Sequence, residues 1–481
     1  MTSKRKKALL LTTAAAAVTA IIWVKVSPNA GAVPGLTISK KAADRRSNNL
    51  SDDELKPVVA SFRQRHELPD DPKPLIAFGA KLFFDKEFSA NSQVSCATCH
   101  DPGRSFTDGK VKSEGLLTGA MNAPTLINSY ASHWFFWNGR ADSLAAQSLG
   151  PIESPKEHGF SRSKVLARIQ SSYRSEYESI FGKIPDVPSD RLSLPPPAQK
   201  HSKVSSAVAA YALATLGSET LQKTILRNAQ TLAVQPVEVL KTMSALVDET
   251  PTAFEKIPLS EQHAINQVFA NFGRAVAAFE RTIRTEDSAF DLFADRLAKA
   301  AKPEDALGTG FGEAELRGLR LFTGRGNCAL CHHGPNFTDQ QFHNIGLMAL
   351  SSEVLDLGRA QGLLDARDSQ FNCRGPYLKQ DELSESCREL DYIETESAEA
   401  VGGFKTPTLR NLKDTAPYGH DGRFPNLDSI LQHYNHLAVP PAVGRIEESL
   451  VPLKFSAGEL KDLEAFMLSL NSPVSFFREG Q

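Results

Sequence analysis

Two pentads, "CATCH" at 96–100 and "CALCH" at 328–332, sit inside a longer internal repeat. That duplication constrains the chain more than any compositional figure. The first pentad opens "CATCHDPGRSFTD" and the second "CALCHHGPNFTD". Further on, "NAPTLINSYASHWFFWNGRADSL" (122–144) aligns with "KTPTLRNLKDTAPYGHDGRFPNL" (405–427). Both carry P-T-L-x-N followed by Gly-Arg at one offset, with 11 residues from Asn128 to Gly139 and 11 from Asn411 to Gly422. Two related lobes follow, each with a pentad and a distal segment. The stretch between them is about 50 residues longer in the second lobe, with the excess around 345–400. Residues 381–400 hold eight Asp or Glu against one Arg, which reads as a solvated loop.

C-x-x-C-H is the attachment pattern of a c-type haem. Its two thiols bond the porphyrin vinyl groups, and the histidine that follows ligates the iron. A zinc site needs four ligands, and neither pentad has a second cysteine pair nearby. The expectation is two covalent haems, held through Cys96, Cys99 and His100 and through Cys328, Cys331 and His332. Each iron then has a second face. Overlaid on Gly139 and Gly422 without gaps, the repeats place Pro151 opposite Tyr434. Proline has no side-chain donor. If "LDSILQHYNH" supplies a ligand to the second iron, the equivalent point at the first is blank. One haem is then capped, as suits electron transfer, and one is open to peroxide or oxygen. His433, His436, His420 and Met348 are rivals to Tyr434, and His133 or His158 are the groups that might close the first iron.

The rest of the chain points to a mainly α protein. Ser51 and Glu54 have capping-box spacing ahead of "SDDELKPVVASF", and "PLIAFGAKLFFD" (74–85) reads as a second helix. Ile265, Val268, Phe269, Phe272, Val276, Phe279 and Ile283 recur at helical spacing on one apolar face. Near the end, Ser456 and Glu459 cap a helix bearing Leu460, Leu463, Phe466, Met467 and Leu470. The expected organisation is a signal peptide or anchor (1–32), a tether (33–50), a first cytochrome c-like lobe (51–182), a Pro-rich linker and helical middle (183–300) and a second lobe (301–481).

Lys4, Arg5, Lys6 and Lys7 precede an apolar run from Ala8 to Val24, the pattern of a secretory signal. Its 17 residues also leave an uncleaved anchor open, the one route by which a membrane enters the reading. Export to the periplasm fits the cysteines left over. Cys373 and Cys387 are spaced for a disulfide, and closing a loop of about 15 residues is worth roughly 3 kcal/mol on the chain-entropy model. A net charge of -2 gives no general attraction for nucleic acid.

The chain resembles the bacterial di-haem cytochrome c peroxidase and MauG family over roughly 70–480. The most specific pieces are "PTLINSYASHWFFWNGRADSLAAQSLGPIESPKE" and "FKTPTLRNLKDTAPYGHDG". The resemblance implies that Trp137 lies between the haems, that Gln147 is a distal-pocket group and that Glu157 is the catalytic acid–base. It also implies a calcium ion held by Asn122 and by the carbonyls of Thr415 and Pro417. The second haem's axial position falls on Tyr434, where the peroxidases have methionine and the MauG-like members tyrosine. Residues 101–132 hold no histidine, so the open haem needs no reductive activation. The function implied is a MauG-like oxidoreductase that uses hydrogen peroxide and oxidises an external protein donor or a residue of a protein. The alternatives are a peroxide-detoxifying cytochrome c peroxidase fed by a small cytochrome or copper protein, and a di-haem electron carrier with no enzymatic role.

Overall fold

The computed structural model describes residues 50–63, 67, 69–197, 252–347, 357–378, 385–391, 400–437 and 445–479. The signal-like segment, nearly all of the tether, residues 198–251 and Met348 lie outside them. Helices dominate: α1 Asp52–Arg63, α2 Lys73–Phe84, α3 Cys96–Cys99, α4 Leu144–Glu153, α5 Arg162–Ser172, α6 Arg174–Phe181, α7 Leu259–Glu280, α8 Ala289–Leu297, α9 Glu313–Thr323, α10 Arg359–Asp368, α11 Glu385–Asp391, α12 Leu427–His436 and α13 Ala457–Leu468. Four two-residue strands form two antiparallel pairs: β1 Arg284–Thr285 with β4 Val474–Ser475, and β2 Phe342–His343 with β3 Phe404–Lys405. Among the described residues, no helix is long and apolar enough to cross a membrane.

The expected caps are present. Ser51 Oγ accepts from the Glu54 amide at 3.4 Å while Glu54 Oε2 accepts from the Ser51 amide at 2.9 Å. Ser456 and Glu459 repeat the exchange at 3.3 and 2.9 Å. Each box pairs two amides that the first helical turn leaves without intrahelical acceptors.

Two apolar cores form, and the same device builds both. In α2, a Cβ on Gly79 would lie 1.8 Å from the Ala275 carbonyl oxygen of α7. In α9, a Cβ on Gly318 would lie 2.0 Å from the Asp462 oxygen of α13. Only glycine lets these backbones approach so closely. Four residues on from each glycine, Phe83 meets Phe279 with ring centroids 4.9 Å apart, and Phe322 meets Phe466 at 5.0 Å. The first core gathers Phe78, Leu82 and Phe83 with Phe269, Phe272 and Phe279, and the second gathers Leu319 and Phe322 with Leu463 and Phe466.

The cores do not follow chain order. Helix α1, read as part of the first lobe, carries Leu55, Val59 and Phe62 into the second core. It is held there by Phe62 on Phe337 (4.9 Å) and by a bidentate Arg63–Asp295 pair. Helix α7 belongs to the first core and α8 to the second, so these parts of the expected middle region form no separate body. The C-terminal Phe476 and Phe477 return to the first core.

Most of the acid-rich 381–400 lies outside the described residues, while 357–378 of the insertion pack onto the first lobe. Cys373 and Cys387 are disulfide-bonded with Cα atoms 5.8 Å apart. Phe371, Tyr377 and Leu378 join the first core. Arg359 is buried, donates to the Gly139 carbonyl at 2.8 Å and lies 3.9 Å over both Trp134 and Phe342. The Cys373 amide donates to Asp142 Oδ2 at 2.7 Å, and Trp134 Nε1 donates to Glu389. Residues 357–378 thus form a clasp on the other lobe, tied by the disulfide and Glu389 to the acid-rich segment that follows.

A buried pair ties α8 to the distal segment of its lobe. Arg410 Nη1 and Nη2 reach the two Asp291 oxygens at 2.9 and 3.0 Å, and Arg410 Nε donates to the Pro335 carbonyl. Replacing one member strands the other charge away from water, at about 3–5 kcal/mol. Arg410→Leu is expected to lower the unfolding free energy by about that amount in denaturant titration. A loss under about 1 kcal/mol would show the pair to be dispensable.

Candidate functional site

The repeat is reproduced down to single hydrogen bonds. Phe106 and Phe337, in the "FTD" triplets after the pentads, are both left-handed, with φ of 57° and 52°. For a bulky residue that conformation costs about 1–3 kcal/mol. Its effect is to turn a carbonyl inward onto the pentad histidine. His100 Nδ1 lies 3.1 Å from the Phe106 oxygen and His332 Nδ1 lies 2.9 Å from the Phe337 oxygen. In each distal segment the P-T-L threonine donates to the residue before that phenylalanine, Thr125 to the Ser105 carbonyl at 2.6 Å and Thr408 to the Asn336 carbonyl at 2.7 Å.

Burial pushes both pentad histidines below the usual imidazole range, against a smaller opposing pull from those carbonyls. A neutral ring that donates Nδ1–H to a carbonyl keeps the Nε2 lone pair for a metal. All four pentad cysteines are free. Burial raises the Cys99 and Cys328 thiols to about 12 and pushes Cys96 higher still. For those three, raised thiols suit bonding to an organic group better than thiolate ligation of a metal ion.

One cavity of about 780 Å³ is lined by both pentads. It is also lined by every other residue expected at the site: Asn122, Trp137, Gln147, Glu157, Thr415, Pro417 and Tyr434. The two distal helices start five residues after Gly139 and Gly422, capped by Ser143 on the Ala146 amide and by Asn426 on the Ser429 amide. They present matching positions to the cavity. Helix α4 offers Gln147, Ser148 and Pro151 where α12 offers Ile430, Leu431 and Tyr434. One half is thus polar and ends in proline, while the other is apolar and ends in a phenol. Burial pushes the Tyr434 hydroxyl well above the ordinary phenol range.

Two of the rivals to Tyr434, His433 and His436, are engaged elsewhere, and Met348 lies outside the described residues. His433 Nε2 meets the Ile345 carbonyl at 2.8 Å, and His436 is exposed with Nδ1 on Gln432. His420 does line the cavity, buried and stacked on Phe404 with centroids 3.5 Å apart. On the first side His158 lines the cavity with Nδ1 on the Phe88 carbonyl at 3.0 Å, and burial lowers it to about 4. His133 is not on the cavity wall.

Several buried polar atoms facing the cavity have no protein partner. They include Gln147 Oε1 and Glu157 Oε2, with Glu280 Oε2 and Gln340 Oε1 beside them. Orphaned buried groups of this kind carry a penalty of about 1–3 kcal/mol each, and they fit a cavity built around groups that the polypeptide does not itself supply. Burial raises the Glu157 carboxyl, and Arg140 only partly opposes it.

The halves meet through a reciprocal pair of backbone bonds. The Asn122 amide donates to the His420 carbonyl at 2.8 Å, and the Lys405 amide donates to the Trp137 carbonyl at 2.8 Å. Asn122 and Lys405 each stand three residues before the P-T-L threonine, and Trp137 and His420 each stand two before the glycine. The pairing is therefore pseudo-twofold. Trp137 Nε1 adds a bond to the Asn122 carbonyl at 2.9 Å.

Sequence reasoning missed three cavity residues: Lys405, Glu280 and His343. Lys405 was readable from the repeat, as the counterpart of Asn122. His343 lies between Asp339 Oδ2 and Glu447 Oε2, at 2.9 Å from each. Asp339 first, with the Cys331 sulfur and Glu447 adding to it against burial, raises the imidazole to about 11. Cys331, Asp339 and His343 are the one metal-ligand grouping among the described residues. Because the folded value lies above the ordinary 6.5, this pairing contributes stability that is full below about 6.5 and is lost as pH rises toward about 11. The stability gap between the protein and a His343→Leu variant should therefore narrow across that range, as read by denaturant unfolding at several pH values. A gap independent of pH would contradict the charged pairing.

Residues 73–231 match the family described as di-haem cytochrome c peroxidase. The chain is 27% identical over 462 residues to the methylamine utilization protein MauG of Methylorubrum extorquens, covering 94% of each chain. It is 25% identical over 434 residues to the cytochrome-c peroxidase IdrP1 of Denitromonas iodatirespirans, covering 86% of this chain and 89% of that one. Among solved structures, the diheme peroxidase BthA of Burkholderia thailandensis has a similar fold, with a TM-score of 0.51, 19% identity and coverage of 88% and 89%.

Proposed function

With the chain identified as a di-haem peroxidase-type oxidoreductase related to the cytochrome c peroxidases and MauG proteins, we propose that it works with two unequal haem sites, in the MauG-like manner. The observation that carries this reading is the face-for-face contrast of α4 and α12. Gln147, Ser148 and Pro151 line the cavity in one half where Ile430, Leu431 and Tyr434 line it in the other.

On this reading Cys96, Cys99 and His100 would hold the first haem, and Cys328, Cys331, His332 and Tyr434 would hold the second. When bound, the haem irons supply the redox chemistry that takes up the oxidising equivalents of hydrogen peroxide. The protein's own part begins at Glu157. Its carboxyl, raised by burial, takes a proton from one peroxide oxygen and returns it to the other as the O–O bond breaks, which is general acid–base work at a matched pKa. Gln147 Oε1, without a protein partner, accepts a hydrogen bond from the peroxide and fixes its orientation. Proline at 151 leaves that side free of a competing donor. Trp137, on the cavity wall at the lobe junction, passes an electron between the halves.

Tyr434 gives the second iron a hard oxygen donor, favouring its oxidised states, whereas a thioether would raise the potential. A calcium ion takes carbonyl oxygens readily. Asn122, Thr415 and Pro417 share the cavity wall near the lobe junction and are proposed to hold one. Electrons come from an external protein donor or from a residue of a protein substrate. The basic-then-apolar N-terminus supports export to the periplasm. A detoxifying peroxidase remains the second reading, favoured by the relationship to cytochrome-c peroxidase IdrP1.

Two measurements test these roles. Glu157→Gln is expected to lower kcat/KM for peroxide by about 10²–10⁴-fold. It should also abolish an acid-side titration that lies above the ordinary carboxylate range in the parent protein. An unchanged pH profile would remove Glu157 from the proton path. Tyr434→Met is expected to raise the midpoint potential of the second haem in a spectroelectrochemical titration. An unaltered potential would place the axial ligand elsewhere.

A further inference from the structure

We propose that Lys405 is the fixed counter-ion for a haem propionate carboxylate at the junction of the two lobes. The inference rests on the two-haem reading above and assigns a residue that reading leaves unused. Lys405 lies on β3, its amide is committed to the Trp137 carbonyl at 2.8 Å, and it lines the cavity. Among the described residues no acceptor meets its ammonium group. Burial is the one influence on that group, and it lowers the amine to about 8.

The other cationic side chains around the cavity are accounted for. Arg325 pairs with Glu459 at 2.5 Å. His343 is held between two carboxylates. Arg140 lies 3.4 Å over the Phe136 ring, and Lys156 is exposed. Lys405 is half-buried and lines the cavity with no protein acceptor among the described residues. A bulky apolar ring filling that cavity would strip water from its ammonium, and a charge so desolvated calls for an anion beside it. The porphyrin periphery is apolar except for its two propionate carboxylates, and these are the anions that filling the cavity would bring.

The repeat sharpens the assignment. Lys405 is the counterpart of Asn122, so the cation enters on one side of the pseudo-twofold junction and a neutral carboxamide on the other. Asn122 already spends its Nδ2 on the Lys110 carbonyl at 2.7 Å. A fixed positive charge beside one ring and not its twin stabilises the reduced form of that haem and so separates the two potentials.

The test uses the haem-loaded protein with Lys405→Met, Lys405→Gln and Lys405→Arg. Pyridine haemochrome analysis first counts haems, and fewer than two per parent chain would overturn the two-haem reading, and this assignment with it. With two haems present, resonance Raman reads the propionate bending modes and spectroelectrochemistry reads both midpoint potentials. The expected result is a shifted propionate mode and one lowered potential in the Met and Gln variants, with both restored in the Arg variant. Unchanged modes and potentials in variants that keep two haems would overturn the assignment. A potential that follows added azide or phosphate while the propionate modes stay fixed would also overturn it, in favour of a free anion. If the neutral variants do not accumulate, the parent protein in D2O decides. A propionate mode that shifts on exchange supports the pairing, and the lack of any such mode contradicts it.

Discussion

Two backbone hydrogen bonds, from Asn122 to His420 and from Lys405 to Trp137, hold the halves of this protein face to face. Each joins the segment before one lobe's P-T-L to the aromatic residue before the other lobe's glycine. Because the donors and acceptors are repeat-related, the junction fixes both pentads on one cavity in matching orientation. Every difference between the two centres then comes from side chains on an otherwise equivalent frame. The cores support this arrangement by crossing over: α1 braces the second lobe, and the disulfide-tied insertion clasps the first.

The same frame shows where the two copies of the duplicated unit agree and where they differ. The left-handed phenylalanines at 106 and 337 turn their carbonyls onto both pentad histidines, so the metal-facing side is common. The opposite side is where the copies part. Glutamine, serine and proline on α4 keep a polar space, and two aliphatic residues with a phenol on α12 fill theirs. Among the described residues, the cavity carboxyls without a partner, Glu157 and Glu280, both act on Cys96 of the first half. The lysine without an anion comes from the second half of the junction.

Much of this was legible in the sequence because the pentads and the P-T-L segments carry their chemistry in local spacing. The caps at Ser51 and Ser456 and the apolar face from Ile265 to Phe279 were readable for the same reason, each being set within a few helical turns. The lobe boundaries were not, since the placement of α1 depends on which distant surface receives Leu55, Val59 and Phe62. The insertion misled for a related cause. The solvated-loop reading rests on the acid-rich 381–400, while the insertion's contacts come from 357–378, through residues such as Arg359, Phe371 and Tyr377 whose partners lie far off in the chain. His343 escaped notice because its two carboxylates stand 4 and 104 residues away.

The account's central claim is that one haem iron keeps an open position while its twin is closed by the Tyr434 oxygen. Combined EPR and Mössbauer spectroscopy of the diferric protein tests it most directly. The expected spectra contain one five-coordinate high-spin ferric site and one six-coordinate site without sulfur ligation. Two six-coordinate sites, or a methionine-sulfur signature at the second iron, would contradict it.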